Sequence, residues 1–349
     1  MKRTLSLSSL LIVLSSLLVL SSCNRNDQKT TLQLHGLGDN LSGLTAYLYD
    51  EADPKTPIDS IVIQDTVASL SLDNLQKGYL YLLSCEGTQL NAQFVYEETS
   101  LDYNLSDGLV SGSPANDACN AFEQDIMVIM QADSIDQAAG QEIVRKYIAE
   151  QKDNPLVLRA MQYAMYLFDD LTEFQKPLEE MGENVKRLPS YTTLKELIQG
   201  MINTKAGKTF VDFAGITTEG EQVKLSDYVG QGQYALVDFW ASWCGPCRKA
   251  IKNELLAIYE KYRNKGLGII GVAVWDGKED HLKAVEELGI AWPQLFDTEG
   301  NTATELYGIT GIPQIMLIGP DGKIVARDLH GDAIEEIIAP LYETTSDAK

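Results

Sequence analysis

The sequence predicts a C-terminal α/β domain, preceded by a small antiparallel β-sandwich-like domain and a helical segment. Short β-rich runs separated by turn residues occupy residues 31–114. Apolar residues then recur at helical spacing through residues 115–206. Over residues 207–349, continuous apolar runs alternate with helical patterns, which is typical of a sheet covered by helices on both faces.

The β-rich domain is predicted from runs in which apolar and polar residues alternate. Clusters of Gly, Asp, Asn and Pro separate these runs, as expected for turns between antiparallel strands. No catalytic arrangement of residues is visible in this region, so we expect a spacer or a surface that binds a partner. The runs are Leu32–Leu37, Ala46–Tyr49, Ile61–Ile63, Tyr79–Leu83 and Ala92–Tyr96.

Three amphipathic patterns define the helical segment. The first has an apolar face at Ile143–Ile148, and the third has one at Leu194–Ile202. Between them, Asn154 and Pro155 predict the cap and first turn of a helix. The methionines of this segment follow the same spacing, which favours core packing over a metal site. We expect the segment to pack on the β-rich domain and to set the reach of the C-terminal domain.

Strands and helices alternate in the C-terminal domain. Its apolar runs are continuous, as in strands that are buried on both faces of a sheet. The predicted strands are Leu236–Trp240, Gly268–Val274 and Trp292–Phe296, and the predicted helices are Glu279–Leu288 and Ala303–Tyr307.

The most informative motif is Cys244-Gly245-Pro246-Cys247, which follows the first of these strands and opens a helix. Unpaired N–H groups and the helix dipole at such a position favour a thiolate. A thiolate with a second thiol close by attacks a disulfide, and the second thiol then resolves the mixed disulfide. The motif therefore predicts thiol–disulfide exchange, with the Cys244–Cys247 disulfide as the redox centre and no other cofactor.

Other uses of two cysteines at this spacing are less consistent with the sequence. A zinc site needs two further ligands, but the remaining cysteines form no second pair of this kind and the histidines are isolated. A purely structural disulfide here would close a very small loop with little entropic benefit. We therefore predict no metal. The residues concerned are Cys23, Cys85, Cys119, His35, His281 and His330.

Asp238 is a carboxylate inside the otherwise apolar strand that precedes the motif. Burial there raises the pKa of a carboxyl group, which enables it to exchange a proton with the deeper sulfur, that of Cys247. The alternative is that Asp238 faces solvent at the end of the strand. We favour the buried position, because carboxylates in apolar runs are usually functional.

The segment Trp240–Cys247 resembles the active site of the thioredoxin superfamily. Residues from about Gly207 to Ile338 are similar to the TlpA/ResA-like envelope reductases, which are grouped with the alkyl hydroperoxide reductase/thiol-specific antioxidant family. The region before them resembles the domain of unknown function that often precedes thioredoxin domains in envelope lipoproteins. Three further segments match the hairpin that opens the domain, the cis-proline loop and the hairpin after it: Gly220–Tyr228, Gly311–Gln314 and Leu317–Val325.

This resemblance implies a role for each residue of the site. Cys244 is implied to be the exposed attacking thiolate, Cys247 the buried resolving thiol, and Asp238 the buried proton acceptor. The resemblance implies that three residues contact the substrate: Trp243 at the rim, Ile312 through its backbone, and Pro313 in a cis bond beside the sulfurs.

Departures from the family pattern narrow the predicted activity. Ala250 and Asp238 occupy positions where many envelope reductases have glutamate and asparagine, which favours general thiol reduction over a dedicated step in cytochrome maturation. Val237 and Ala241 occupy positions where a peroxidatic cysteine of this family needs proline and threonine. Direct peroxide reduction is therefore not expected.

The first residues predict where this chemistry takes place. A basic start and the apolar run Leu5–Leu20 lead to Leu20-Ser21-Ser22-Cys23, which reads as a lipobox. Residues 1–22 are thus predicted to be a lipoprotein signal peptide, Cys23 the lipidated residue, and residues 23–30 a tether. Acyl chains on Cys23 would hold the protein in the cell envelope, outside the cytoplasm and on the periplasmic face.

An oxidising compartment has consequences for partners and for the other cysteines. A reductant there needs a membrane thiol electron donor, and its substrates would be disulfide-containing envelope proteins. In the same compartment Cys85 and Cys119 either pair or remain small buried side chains. A net charge of −22 argues against nucleic-acid binding. The alternative function is a non-catalytic, redox-responsive binding module whose β domain recruits an envelope partner.

Overall fold

The computed structural model describes residues 29–36, 38–64, 66–132, 134–297 and 302–343. The predicted signal peptide, the lipidation residue Cys23 and the tether up to residue 28 lie outside the described residues. Among the helices of the described part, none is long and apolar enough to cross a membrane.

Eight strands form two four-stranded sheets in the N-terminal domain, in the orders β4-β1-β7-β8 and β3-β2-β5-β6. Alternate residues of both sheets, among them Leu34 and Leu48, pack in one apolar core. The strands are β1 (Thr31–His35), β2 (Thr45–Asp50), β3 (Asp53–Val62), β4 (Ala68–Ser71), β5 (Leu80–Ser84), β6 (Asn91–Val95), β7 (Leu101–Asn104) and β8 (Leu109–Ser111).

The sheets differ from the sequence prediction in two respects. Strands β4, β7 and β8 were not predicted, because runs of three or four residues are too short to show alternation. In addition, β1 and β7 pair in parallel, so the domain is not wholly antiparallel. The long connection from β1 to β7 permits this pairing, and a pattern of alternating residues carries no information on strand direction.

Six helices follow, and their apolar faces form a second core that includes Leu80 and Val95 of the β domain. The helical segment therefore packs on the β domain, as predicted. A bidentate ion pair, with N–O distances of 2.9 and 2.7 Å, joins Arg187 to Asp50 across this junction. The helices are α1 (Pro114–Met130), α2 (Gln137–Glu150), α3 (Val157–Leu167), α4 (Gln175–Glu179), α5 (Glu183–Lys186) and α6 (Pro189–Asn203).

The predicted cap at Asn154 is displaced from the start of α3, which begins at Val157. The side chain of Asn154 accepts a hydrogen bond from the N–H of Leu156 at 3.0 Å, and its carbonyl accepts one from Val157. Asn154 therefore stabilises a turn that precedes the helix. The prediction placed the helix start too early, because the Asn-Pro signal is shared by turns and helix caps.

The C-terminal domain contains a seven-stranded sheet in the order β10-β9-β13-β12-β11-β14-β15. Its strands are β9 (Ala214–Ile216), β10 (Gln222–Lys224), β11 (Ala235–Trp240), β12 (Gly268–Ala273), β13 (Gln294–Asp297), β14 (Gln314–Ile318) and β15 (Ile324–Ala326). Its helices are α7 (Gly245–Ala250), α8 (Leu256–Tyr262), α9 (Lys278–Leu288), α10 (Thr302–Tyr307) and α11 (Asp332–Glu343). A π-helical turn, Ile251–Leu255, joins α7 to α8.

Strand β11 lies at the centre of this sheet, between parallel β12 and antiparallel β14. All six of its residues are buried. Leu236 and Trp240 face one apolar layer, whereas Val237 and Phe239 face the other. Because side chains alternate along a strand, Asp238 points to the same side as Leu236 and Trp240. The predicted α/β fold with both sheet faces covered is confirmed.

Candidate active site

Cys244 and Cys247 form a disulfide with an Sγ–Sγ distance of 2.00 Å, at the end of β11 and the start of α7. Cys244 is the N-cap residue, and Pro246 lies in the first turn, where its missing N–H is not needed. The N–H of Cys247 donates to Sγ of Cys244 at 3.1 Å. After reduction, this donor and the helix dipole would stabilise negative charge on Cys244.

Both cysteines are buried, and they belong to the apolar layer that Leu236 and Trp240 face. Cys244 is 4% exposed and Cys247 is 1% exposed. The expectation of an exposed Cys244 is therefore wrong for this disulfide form. Sγ of Cys244 faces the other sulfur and lies 3.7 Å from the carbonyl oxygen of Ile312, so a neighbouring loop covers part of it.

That loop contains the bond between Ile312 and Pro313, which is cis, as the sequence resemblance implied. Both residues are partly buried, and the carbonyl of Ile312 is the group that approaches Cys244. Trp243, the third residue implied to contact substrate, is 62% exposed, and its Nε1–H donates to the carbonyl of Trp275 at 2.8 Å. The structure thus brings Ile312 next to the sulfurs and leaves Trp243 open to a partner.

Asp238 is 1% exposed, and neither of its carboxyl oxygens has a hydrogen-bond partner among the described residues. Burial alone raises the pKa of this carboxyl group to about 8. Its side chain faces the apolar layer that contains both cysteines. The group is therefore largely protonated at neutral pH and titrates in the range where thiols also titrate.

A buried polar network beside the cysteines was not predicted. The carboxylate of Asp276 accepts from the N–H of Ser242 at 2.5 Å and from its hydroxyl at 2.7 Å. Nδ1 of His281 lies 2.9 Å from the same carboxylate, and its Nε2 lies 3.1 Å from Oε1 of Gln294. The same Oε1 accepts from Nε1–H of Trp240 at 3.1 Å. These contacts join the loop before Cys244 to the neighbouring strands.

His281 was predicted to be an isolated histidine, but its side chain is fully buried in this network. Its hydrogen-bond partners come from two separate elements, Asp276 from the turn after β12 and Gln294 from the start of β13. One signal was available, because Asp276 lies two residues after the predicted parallel strand Gly268–Val274, beyond the carboxyl end of the strand, where α/β proteins place functional groups.

Cys85 and Cys119 do not join the site. Cys85 and Cys119 are both free and buried, so they are small core side chains and not a disulfide. Within the described ranges, no group of three or more His, Cys, Asp or Glu side chains is arranged to hold a metal ion. Arg248, which follows the motif, forms an ion pair with Glu287 at 2.8 Å.

Comparison with known proteins agrees with this geometry. The sequence model of the AhpC/TSA family matches residues 206–327. The thiol-disulfide oxidoreductase ResA of Geobacillus thermodenitrificans is 31% identical over 156 residues, covering 44% of this chain and 86% of the relative. The protein of the same name from Bacillus subtilis is 27% identical over 148 residues, with coverages of 42% and 80%.

A solved thioredoxin domain of a thiol-disulfide oxidoreductase from Bacteroides vulgatus is 36% identical, covers 40% of this chain and 98% of that domain, and has a TM-score of 0.37. The sequence matches and the redox pair at the start of α7 lead to one assignment. The chain belongs to the AhpC/TSA family of the thioredoxin superfamily, and it is a ResA-like thiol-disulfide oxidoreductase.

Proposed function

We propose that this protein is a membrane-tethered reductase of protein disulfides in the cell envelope, able also to isomerise them. The observation that carries the proposal is the Cys244–Cys247 disulfide, which sits at a helix N-terminus beside the cis-proline loop and above a buried carboxyl group. This combination supplies an activated sulfur, a resolving sulfur, a place for a peptide backbone and a proton acceptor.

In the first step, the thiolate of Cys244 attacks one sulfur of the substrate disulfide. A new S–S bond joins Cys244 to the substrate, the substrate S–S bond breaks, and the second substrate sulfur leaves as a thiolate that takes a proton from water. The N–H of Cys247 favours the attacking thiolate, because it already donates to Sγ of Cys244.

In the second step, Cys247 loses its proton and attacks Sγ of Cys244. The mixed disulfide breaks, the remaining substrate sulfur leaves as a thiolate, and the enzyme retains the Cys244–Cys247 disulfide seen in the structure. Two electrons have then passed from the enzyme dithiol to the substrate disulfide. Asp238 in its ionised form accepts the proton of Cys247, and a pKa of about 8 allows this exchange near neutral pH.

Substrate binding in this proposal uses the residues around the sulfurs. The backbone at Ile312 is offered to an extended peptide, since its carbonyl lies beside Cys244 and the residue precedes the cis bond to Pro313. Trp243, with 62% of its surface exposed, supplies an apolar contact at the rim. Peptide segments around an accessible disulfide meet these requirements.

Location and electron supply complete the proposal. The lipobox ending at Cys23 supports an acyl anchor that holds the protein at the periplasmic face of a membrane. The periplasm is an oxidising compartment. The enzyme disulfide must then be reduced again by a membrane thiol donor, which supplies two electrons in each cycle. Disulfide-containing envelope proteins are the proposed substrates.

Substitution of the two cysteines tests the activity. We expect Cys247→Ser to accumulate a mixed disulfide with insulin, detected by mass spectrometry, because the resolving sulfur is missing. Cys244→Ser is the matched control and should form none, because it lacks the sulfur that accepts from the N–H of Cys247 and makes the first attack. Full insulin reduction by Cys244→Ser would refute the mechanism.

Cys23→Ser tests the proposed lipid anchor. It should move the protein from the membrane to the soluble fraction, and unchanged membrane association would refute the anchor.

A further inference from the structure

A cavity of about 820 Å³ lies directly beside the cis-proline loop. Residues 308–314 of the C-terminal domain line one side, and the helical segment lines the other with Met165, Tyr166 and Met201. A second cavity of about 560 Å³ shares Met165, Tyr166 and Thr310 with the first and continues between α3 and α6. Together they form a cleft, called here the helical cleft, that extends from the active-site loop along the helical segment.

The helical wall is held firmly against the C-terminal domain. Gly200 of α6 and Gly308, just after α10, pack backbone to backbone, and a Cβ at Gly200 would lie 2.6 Å from the Gly308 nitrogen. The hydroxyl of Thr204 donates to the carbonyl of Gly200 and accepts from Arg327 at 2.8 Å. The helical side of the cleft therefore has a defined position relative to Ile312, and the cleft is already formed before a ligand binds.

The chemistry of the helical cleft suits a polypeptide. Its walls are largely apolar, and their methionines adapt to different side chains. The lysine and the arginine of its wall already have partners, because Lys205 pairs with Asp170 at 2.7 Å and Arg327 contacts Asp328 at 3.2 Å. In contrast, Nε2 of Gln314 is buried in the wall with no hydrogen-bond partner among the described residues. A peptide carbonyl would satisfy this donor.

We propose that α3 and α6 form the second wall of the substrate site, and that the helical cleft binds the polypeptide segment flanking the disulfide to be reduced. This inference rests on the proposed function and adds a role for the helical segment. The cleft is continuous with the reacting centre, since Ile312 lines it and its carbonyl lies 3.7 Å from Sγ of Cys244. Each of the two cavities that form the cleft, at about 820 and 560 Å³, falls in the range of about 300–1,000 Å³ that encloses drug-sized ligands, which corresponds to a few residues of peptide.

Tyr166 provides a direct test, because it is 66% exposed in the wall and its truncation leaves the core intact. The full chain is reduced, mixed with a disulfide, and quenched with an alkylating agent to follow formation of the Cys244–Cys247 disulfide. One substrate is insulin and the other is bis(2-hydroxyethyl) disulfide, which is too small to fill the cleft. We expect Tyr166→Ala to lower the rate constant for insulin about fivefold, as for a moderate interface contact, and to leave the small disulfide unchanged.

Tyr47→Ala is the matched control, since Tyr47 is 42% exposed on β2 and does not line the cleft. Equal rates for insulin with and without the Tyr166 ring, or an equal loss for both disulfides, would overturn the docking role. A dimer in sedimentation analysis that Tyr166→Ala dissociates would overturn it too, because a second copy would then occupy the cleft. If the unaltered chain reduced neither disulfide, the proposed function itself would be refuted, and the role of the cleft in substrate binding would be refuted as well.

Discussion

The buried carboxyl group of Asp238 should make the stability of the C-terminal domain depend strongly on pH. Its pKa rises from 3.8 to about 8 on burial, and no hydrogen bond from a described residue offsets the loss of water. A pKa shift of this size corresponds to a free energy on the order of 6 kcal/mol, at about 1.36 kcal/mol per pKa unit. Asp238→Asn removes the ionisable group with little change in shape, so it isolates this contribution.

The direction of the pH dependence follows from the number of protons that the folded and unfolded states bind. Between about pH 4 and pH 8 the unfolded chain has released the Asp238 proton, whereas the folded domain keeps it. Because the folded state then binds more protons, the free energy of unfolding decreases as pH rises, by up to about 1.4 kcal/mol per pH unit. Below about pH 4 the group is protonated in both states and the burial penalty on its charged form disappears.

Urea unfolding of the oxidised protein measures this effect, with tryptophan fluorescence as the signal. All four tryptophans, Trp240, Trp243, Trp275 and Trp292, belong to the C-terminal domain, so the signal reports that domain. Between about pH 5 and pH 8 we expect the unaltered protein to lose on the order of 4 kcal/mol relative to Asp238→Asn. Asp280→Asn, at an exposed position on α9, is the control and should follow the unaltered protein.

Parallel pH profiles for the unaltered protein and Asp238→Asn would refute this reasoning, since they would mean that the carboxyl group titrates alike in the folded and unfolded states. The same substitution links stability to activity. Asn cannot accept the proton of Cys247, so we expect resolution of the mixed disulfide to slow more than the initial attack. Asp238→Asn should thus be more stable and less active, the pattern expected when a functional group is held in an unfavourable environment.

Two further predictions concern contacts that position the site. Gly200→Ala should destabilise the protein by about 1–3 kcal/mol, although alanine favours a helix, because its Cβ would lie 2.6 Å from the Gly308 nitrogen. Thermal unfolding measures this, with Gly140→Ala as the control, since a Cβ there meets side-chain atoms and not backbone, at 3.1 Å from Leu167 and 3.5 Å from Ile129. His281→Phe should cost about 2 kcal/mol in urea unfolding, because the two hydrogen bonds of the ring are lost.

The outcomes that contradict these two predictions are specific. A Gly200→Ala protein as stable as Gly140→Ala would show that the junction of α6 with α10 opens without penalty. For the network, His281→Gln is the conservative control, since its amide keeps a donor and an acceptor and should lose less than His281→Phe. Equal stability of both variants and the unaltered protein would show that the buried ring contributes nothing to the loop before Cys244.

Local patterns in the sequence were sufficient for the centre of the site. The disulfide pair and the strand with Asp238 were predicted from spacing and hydropathy within a few consecutive residues, whereas the cis-proline loop with Pro313 was implied by the resemblance of its short motif to the family. The structure shows Asp238 buried and the bond before Pro313 cis. Their catalytic roles stay predictions until the substitutions are made.

By itself, the sequence determined the fold class, the order of the regions and the redox pair, because these depend on periodicity and on residues adjacent in the chain. Only the tertiary structure decided the parallel pairing of β1 with β7, the burial of Cys244, and the contact of His281 with Asp276 and Gln294. It also decided that α6 packs on the end of α10, with a cleft beside the cis-proline loop. Each of these features joins residues from separate elements, and their proximity arises from packing, which no local pattern encodes.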